Sequence, residues 1–346
     1  MASRTSREAD MDGREEDPLV VVASYNRFDK LAHVPRGTSA SYTLSCFRLH
    51  RETATMTLLA VEDTLENPAF LRFHPLFNIL YACTEDITRD NEVACFSVSP
   101  GSGKLTHLRS QSAMGKSTCY LEMDSSLEHM LFVNYWDSVV GTMPLTRSGL
   151  LEPVTRTLRP ERPVVARHLK DHLENRQSEP HAHAIVLDPY FGKVAFIPDL
   201  GMDVIRQLYY DVETGVLTPS ATLRCGPDEL KPHGPRYIFV LVSNRGHNSI
   251  AVFAIRKKTL SGEVGYLRIV NYCHTKGRTP RHFHFDPSGE FLLTANQDTD
   301  NVTIFRFDKV SGQLSFTGQV NNVPSPNFVC VMQPHRHIPM SHQAKL

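Results

Sequence analysis

An internal repeat constrains this chain of 346 residues more than any other feature. Each copy starts with a proline and a short alternating strand, turns at Asp-Pro or His-Pro, and continues through three further strands separated by polar loops. The clearest copy covers residues 280–316, and others cover 180–219 and 68–107. The turn anchors His74 and Asp124 lie about 50 residues apart, a pitch typical of a four-stranded propeller blade.

Alternation with a period of two, broken by Gly, Asn, Asp and Pro, indicates antiparallel strands joined by tight turns. In a ring of such sheets each open edge is covered by its neighbour, whereas a β-sandwich would not repeat its sequence in this way. We therefore predict an all-β propeller of four-stranded blades. The predicted blade units are 18–62, 68–112, 118–157, 181–225, 234–272 and 280–320, followed by a closing strand at 324–334.

The two ends of the repeat region predict how the ring closes. The segment that begins at residue 18 supplies three strands with no first strand before them, and 324–334 resembles a first strand with nothing after it. Pairing them completes one blade and makes 18–334 a single domain. A disordered charged tail at 1–17 and a flexible tail at 335–346 flank this domain, and the segment between 153 and 180 is predicted to be a surface insertion, either a linker or a short amphipathic helix.

The fifth copy of the repeat is shortened. From the initial proline to the polar end of the second strand, the intact copy needs 16 residues (Pro280 to Asn296), whereas Pro235 and Asn244 are only 9 apart. A first strand and its Asp-Pro turn do not fit into that interval. The sequence therefore predicts about six blades, one of which lacks a part.

Charge and cysteine content restrict the class of partner and the compartment. Lys plus Arg and Asp plus Glu both number 37, so no overall charge favours nucleic acid or an acidic membrane. No run of about 18 apolar residues exists, and residues 1–17 lack the apolar stretch of a secretory signal. Seven widely spaced cysteines without a Cys-x-x-Cys pair indicate reduced thiols. We therefore predict a cytoplasmic protein without nucleic-acid or membrane partners.

The residues that begin each first strand converge on the axis of a propeller, together with the loops beside them. The later copies place imidazole and guanidinium groups there, at His181, His183, Arg236, Arg281 and His282, and the loop after the next second strand adds Arg245 and His247. Nearby guanidinium groups in a concave site suit an anionic ligand. One histidine of the His-Ala-His pair is expected to be structural, and the turn residues Asp188 and Asp286 are expected only to accept backbone N–H groups. The sequence offers no third ligand at a fixed spacing from that pair to complete a zinc site, so no metal is predicted.

The segments PHAHAIVLDPYFGKVAFIPDLGMD, GPR, SNRGHNSI and PRHFHFDPSGEFLLTAN, in this order, resemble the seven-bladed propeller lactonase family. That family includes the bacterial 6-phosphogluconolactonases of propeller type and the fungal carboxy-muconate cyclases. The resemblance implies catalytic roles for His183, Arg236 and Arg245, and substrate contacts from His181, His247, Arg281, His282 and Asn327. In that family a glutamate follows the second strand of the blade between the two arginines that match Arg236 and Arg245, and this chain has no counterpart of that blade segment. The resemblance implies no cofactor.

The activity implied by the resemblance is hydrolysis of a sugar-phosphate lactone, as in the pentose phosphate pathway, with a small anionic lactone or carboxylate as the ligand. His183 would take a proton from water, and Arg236 and Arg245 would hold the anionic group and the developing oxyanion. Two alternatives stay open: a cyclase that closes a lactone on a dicarboxylate, and a non-catalytic propeller that binds partner proteins. A metal-dependent lactonase is a third.

Overall fold

The structure is a computed structural model that describes residues 17–159, 179–202, 204–224, 239–256 and 266–335. These ranges form 23 β-strands, arranged in six antiparallel sheets, and two single-turn 3-10 helices at Phe28–Lys30 and Gln297–Thr299. Residues 1–16 and 336–346 of the two predicted tails, and residues 160–178 of the segment predicted to be an insertion, lie outside the described residues. So do Cys225 and Arg236.

The six sheets are the predicted blades, and the strands of each blade follow one another from the axis outward. Blade 1 consists of β23 (Pro326–Met332), β1 (Leu19–Ser24), β2 (Leu44–His50) and β3 (Thr55–Glu62). Blade 2 consists of β4 (Pro68–Phe73), β5 (Ile79–Thr84), β6 (Glu92–Val98) and β7 (Leu105–Ser112), and blade 3 of β8 (Thr118–Met123), β9 (His129–Asn134), β10 (Val139–Pro144) and β11 (Arg156–Leu158). Blade 4 consists of β12 (Val186–Leu187), β13 (Val194–Asp199), β14 (Val204–Asp211) and β15 (Val216–Arg224). Blade 5 consists of β16 (Phe239–Asn244), β17 (Ser249–Arg256) and β18 (Tyr266–His274), and blade 6 of β19 (Pro280–Phe285), β20 (Phe291–Asn296), β21 (Asn301–Phe307) and β22 (Leu314–Asn322).

Blade 1 joins the two ends of the domain, which confirms the predicted closure. Strand β23 pairs antiparallel with β1, from Leu19 opposite Met332 to Ser24 opposite Pro326. Asp17, the last residue of the predicted tail, lies against the same blade, where its carboxylate is 3.0 Å from Nδ1 of His50. Because strands from both termini share one ladder, the ring closes through backbone hydrogen bonds as well as side-chain packing.

Blade 5 has three strands in the described part of the chain, and residues 225–238, which precede them, lie outside the described residues, so the incomplete blade stays a prediction from the sequence. Its first described strand is β16, which corresponds to the second strand of the other blades. Every residue of β5, β9 and β20 is buried, whereas no residue of β16 is, and Val242 is 42% exposed. Among the described residues, β16 is therefore less covered than its equivalents.

The apolar core lies between adjacent blades and not within any one of them. Blades 1 and 2 share a cluster that includes Phe96 and Phe328, and clusters of the same kind join blades 2 to 3, 3 to 4, 5 to 6 and 6 to 1. Burial of one such aromatic or aliphatic side chain contributes about 1.5–3 kcal/mol. Among the described residues no apolar cluster joins blade 4 to blade 5, the position of the shortened repeat.

The turn between the first and second strands has a geometry that recurs from blade to blade and is set by its anchor residue. Oδ1 of Asp286 accepts the N–H groups of Glu290 and Phe291, at 2.9 and 2.8 Å, and Asp124 and Asp188 accept backbone N–H groups in the same way. The structural role predicted for the turn aspartates is therefore confirmed. In blade 2 the anchor is His74, whose Nδ1 accepts the N–H groups of the second and third residues after it.

Candidate active site

Two sets of residues recur at the same end of every intact blade and face the axis. The loop ring consists of the residues that directly follow the second strands: Tyr25, Glu85, Tyr135, Leu200, Arg245 and Gln297. The first-strand ring lies at the start of the first strands, where one residue pairs with the last residue of the second strand. The ring consists of the residue that directly follows this paired residue in each blade: Ala69, Cys119, His183, Arg281 and Asn327. Among the described residues, blade 5 contributes to the loop ring alone.

Local backbone geometry places the two rings side by side. In blades 2, 3, 6 and 1 the residue before the first strand has a left-handed backbone, with φ of +46° at Asn67, +54° at Ser117, +56° at Thr279 and +39° at Ser325. The carbonyl of each accepts the N–H group of the loop-ring residue of its own blade, for example Glu85 on Asn67 at 2.9 Å. The first-strand ring lies at a register shift in the same four blades. Such β-bulges turn a side chain out of the regular alternation, which explains why these residues can face the axis.

Arg281 is the centre of a hydrogen-bond network that joins three blades. Its Nη2 donates to the hydroxyl of Tyr25 at 2.9 Å, and its Nη1 donates to Nε2 of His33 at 2.7 Å and lies 3.5 Å from the side-chain oxygen of Gln297. The Tyr25 hydroxyl donates in turn to Oε2 of Glu85, which is 3.6 Å from Nη2 of Arg281. Burial raises the pKa of Tyr25 well above its ordinary value, so the phenol keeps its proton.

His183, the predicted general base, faces the same pocket from blade 4. Its side chain is exposed to the pocket, and its ring lies 5.6 Å from that of Tyr135. Protein atoms still surround the imidazole closely, and this burial is the main cause that lowers the pKa of His183. The positive charges of Arg245 and Arg281 lower the pKa further. His183 is therefore neutral near pH 7, the form that accepts a proton. Arg245 belongs to blade 5 and Arg281 to blade 6, so the charges that act on His183 come from the two blades that follow its own.

The charges of the two rings favour an anionic ligand. Within the two rings, Arg245 and Arg281 each carry one positive charge and Glu85 carries one negative charge, which leaves the ring residues with a net positive charge. Arg245 is exposed at the pocket mouth on the loop between β16 and β17. Its charge also acts on His33, whose pKa is lowered to about 4, chiefly by burial and then by Arg281.

The structure places the other predicted substrate contacts in different surroundings. His181 is buried: its ring stacks on Tyr135 at 4.7 Å and its Nδ1 lies 3.1 Å from the carbonyl oxygen of the same residue. His247 is exposed on the loop that carries Arg245, 2.7 Å from the hydroxyl of Ser249. Asn327 is buried in the first-strand ring and donates to the carbonyl of Pro68 at 2.7 Å. His181 therefore matches the expectation that one histidine of its pair is structural.

An aromatic layer lies one residue further along the first strands. Phe70 is in ring contact with Tyr120 and with Phe328, at 4.6 Å in both cases, and Phe328 stacks on His282 at 3.6 Å. His282, predicted as a substrate contact, therefore belongs to this layer, where burial lowers its pKa to about 3. Two residues further still, Arg72 and Glu122 form an ion pair of 2.7 Å. Apolar rings thus separate this deeper ion pair from the polar pocket.

Sequence reasoning missed Glu85, Tyr25 and His33. Glu85 and Tyr25 carry a usable signal, because each directly follows a second strand, as Arg245 does. His33 lies in the irregular loop between β1 and β2, and no periodic pattern points to it. Glu85 matters most, because the sequence analysis found no counterpart for the glutamate implied by the resemblance, whereas the pocket does contain a carboxylate, from blade 2.

Among the described residues, no surface depression, metal-ligand group or membrane-spanning helix gives a second candidate site. A surface depression of about 300 Å³, lined by Thr84, Arg89 and Ser110 among others, contains no member of either ring. Within the described ranges no group of three His, Cys, Asp or Glu side chains is arranged to hold a metal ion. None of the helical segments in those ranges is long and apolar enough to cross a bilayer.

Comparison with known proteins agrees with this architecture. The chain is 28% identical to a 6-phosphogluconolactonase of Bacillus subtilis over an alignment of 352 residues, which covers 84% of this chain and 94% of that protein. It is 22% identical to a 6-phosphogluconolactonase of Formosa agariphila, over 78% of this chain and 89% of the relative. The crystal structure of the periplasmic gluconolactonase of Pseudomonas aeruginosa superposes with a TM-score of 0.69, at 21% identity over 92% of this chain and 99% of that one, and supports the fold. Residues 20–239 and 233–332 match the family described as Lactonase, 7-bladed beta-propeller, and the chain belongs to that family.

Proposed function

We propose that this protein hydrolyses the lactone of a phosphorylated sugar acid, as a 6-phosphogluconolactonase does. The observation that supports the proposal is the hydrogen-bond network of Arg281 at the axial end of the blades, together with the charges of Arg245 and Arg281, which lower the pKa of His183 and favour its neutral form. A sugar-phosphate lactone presents an anionic phosphate and an ester carbonyl, and these two groups suit the two kinds of side chain. The names of the Bacillus and Formosa relatives support the same substrate class.

The proposed reaction needs one base and one site for negative charge. His183 accepts a proton from water as its oxygen attacks the carbonyl carbon, and a guanidinium group stabilises the oxyanion that forms. The protonated imidazole then returns a proton to the ring oxygen as the carbon–oxygen bond breaks, which yields the open hydroxy acid. Arg236 keeps its predicted place in this scheme, as a second group for the anionic end of the substrate.

The proposed ligand is a small anionic lactone, not a nucleic acid or a membrane. A reducing, cytoplasmic location is part of the proposal, because Cys46, Cys83, Cys95, Cys119, Cys273 and Cys330 are all free thiols.

The test is the hydrolysis of 6-phosphogluconolactone, measured against the spontaneous rate. The wild-type protein should accelerate ring opening, and His183→Ala should remove most of the acceleration, by about 100-fold or more for loss of a general base. His107→Ala is the matched control, because His107 is exposed on β7 at the outer edge of blade 2. A wild-type rate equal to the spontaneous rate would refute the proposal, and so would full activity of His183→Ala.

A further inference from the structure

The hydrogen bonds around Arg281 have only one consistent set of directions. A guanidinium group donates and cannot accept, so Nε2 of His33 must be an acceptor and its proton must be on Nδ1. For the same reason the Tyr25 hydroxyl accepts from Arg281, and it uses its own proton to donate to Glu85. The chain of donors therefore runs from Arg281 through Tyr25 to Glu85, from blade 6 through blade 1 to blade 2.

Glu85 uses only one of its carboxylate oxygens in this chain. Both its hydrogen bond with Tyr25 and its 3.6 Å ion pair with Arg281 are made by Oε2. The Glu85 side chain is 11% exposed and the Arg281 side chain 18%, whereas Tyr25 has no exposed surface. Tyr25 is therefore placed to connect the two charged groups and is out of reach of a ligand.

A single residue, Asn67, holds the loops of two partners of Arg281, Tyr25 and Glu85. Its carbonyl accepts the N–H group of Glu85 at 2.9 Å, and its side-chain oxygen accepts the N–H groups of Asn26 and Arg27, at 3.0 and 2.9 Å, directly after Tyr25. Asn67 is 1% exposed. The loop that carries Tyr25 and the loop that carries Glu85 are thus held to one buried point.

We propose that Tyr25 and Glu85 are positioning residues that hold the Arg281 guanidinium in the orientation in which it meets the anionic substrate. The inference rests on the proposed function. It assigns the carboxylate of the pocket to blade 2, so the pocket does not depend on a glutamate from the shortened blade 5. An arginine with its counter-charge and hydrogen bonds already in place loses little freedom when the ligand binds, and the transition state gains most from such preorganisation.

The first test is a double-mutant cycle on kcat/KM for 6-phosphogluconolactone. Tyr25→Phe and Glu85→Gln should each lower kcat/KM by about 10- to 100-fold, the size expected when a substrate-binding group is displaced by about 1 Å. In an Arg281→Ala background, the same two changes should lower kcat/KM less than about 2-fold, because the group on which they act is gone. Equal losses in both backgrounds would show that Glu85 and Tyr25 do not act through Arg281, and would overturn the inference.

Glu122→Gln is the matched control for a loss of fold stability. Glu122 is also a partly buried carboxylate paired with an arginine, Arg72, but it lies beyond the aromatic layer. Thermal unfolding of all variants accompanies the kinetics. Glu122→Gln should leave kcat/KM within about 2-fold of wild type even if its melting temperature falls as much as that of Glu85→Gln. An equal loss of kcat/KM in both variants would identify a general structural effect and refute a specific role for Glu85.

A second test does not depend on activity, so it separates the failure of this inference from the failure of the proposed function. In protein labelled with ¹⁵N-arginine, Arg281 should give a slowly exchanging guanidinium signal, assigned by its absence from Arg281→Lys. Tyr25→Phe and Glu85→Gln should shift or broaden that signal, and Glu122→Gln should not. If the wild-type protein does not hydrolyse the lactone, the proposed function fails and this spectrum alone decides the inference. An Arg281 signal that is unchanged in Tyr25→Phe and Glu85→Gln would refute it.

Discussion

His74 provides a quantitative test of the turn geometry, because its role depends on an unprotonated nitrogen. Nδ1 accepts the N–H groups of Leu76 and Phe77, at 3.0 and 3.2 Å, and the side chain is 3% exposed as part of a buried turn. Burial lowers the pKa of His74 from 6.5 to about 4, and His335 contributes to the shift. The unfolded chain therefore binds a proton below about pH 6.5, while the folded chain stays neutral down to about pH 4.

The direction and size of the effect follow from proton linkage. Because the unfolded state binds more protons between those two pH values, the free energy of unfolding falls as the pH decreases through this window and is unaffected by His74 above it. At pH 5 the difference between the two titration curves amounts to about 2 kcal/mol relative to pH 8. The variant His74→Asn keeps an acceptor oxygen at a similar place and cannot be protonated, so it should lack this loss.

The assay is urea-induced unfolding of wild type and His74→Asn at pH 8, 6 and 5. The quantity of interest is the difference between the two proteins, since acid effects from other groups, such as His33 and His282, cancel in it. The variant is expected to lose contacts of the imidazole ring with Phe77 at every pH, but its stability relative to wild type should improve by about 2 kcal/mol from pH 8 to 5. His107→Asn, an exposed control, should run parallel to wild type. A parallel curve for His74→Asn would refute the argument that Nδ1 acts as a buried acceptor.

Two further predictions concern the pocket. If His183 is the base, the acidic limb of the profile of kcat/KM against pH should lie below pH 6.5, because the lowered pKa keeps the imidazole neutral to lower pH. Arg245→Ala removes a positive charge and should move this limb to higher pH. A limb above pH 6.5 in the wild-type protein would contradict the assignment. Asn67→Ala should lower stability by about 1–3 kcal/mol, because it leaves buried N–H groups unpaired, and should also lower lactonase activity. The control is Asn78→Ala, which loses side-chain hydrogen bonds to the backbone of His335 at the opposite end of blade 2 and should lower stability alone. Full activity of a folded Asn67→Ala protein would show that the Tyr25 and Glu85 loops do not need this anchor.

The blades were predictable because the signals that specify them are local. Alternating apolar residues, Asp-Pro turns and the initial prolines lie within each repeat, and the deficit in blade 5 is visible as a short interval before Asn244. Closure was predictable for the same reason, since 324–334 has the pattern of a first strand without the strands that should follow. Each of these inferences needed a comparison of one repeat with another, and no knowledge of which blades meet in space.

The site was less predictable, because its members are set by register shifts and by one irregular loop. Simple alternation treats Arg281 and His282 as neighbours on opposite sides of a strand, but the bulge at Arg281 sends that side chain to the pocket and leaves His282 stacked on Phe328. The histidine and arginine residues of the later blades also give no indication of Glu85, which belongs to blade 2. Position in the repeat is the better guide, since Glu85 stands where Arg245 stands in blade 5.

The distribution of the network over the ring bears on whether a shortened propeller retains its chemistry. Arg281, Tyr25 and Glu85 come from blades 6, 1 and 2, which share continuous apolar cores with one another. His183 and Arg245 come from blades 4 and 5, on the two sides of the interface for which the described residues show no shared core. A missing blade segment therefore affects the relative placement of His183 and Arg245 much more than that of the Arg281 network. If the proposed function is correct, any loss of activity caused by the shortened repeat should accordingly arise at His183, the proposed base, and at Arg245, whereas Arg281 should keep its position and its proposed role in anion binding.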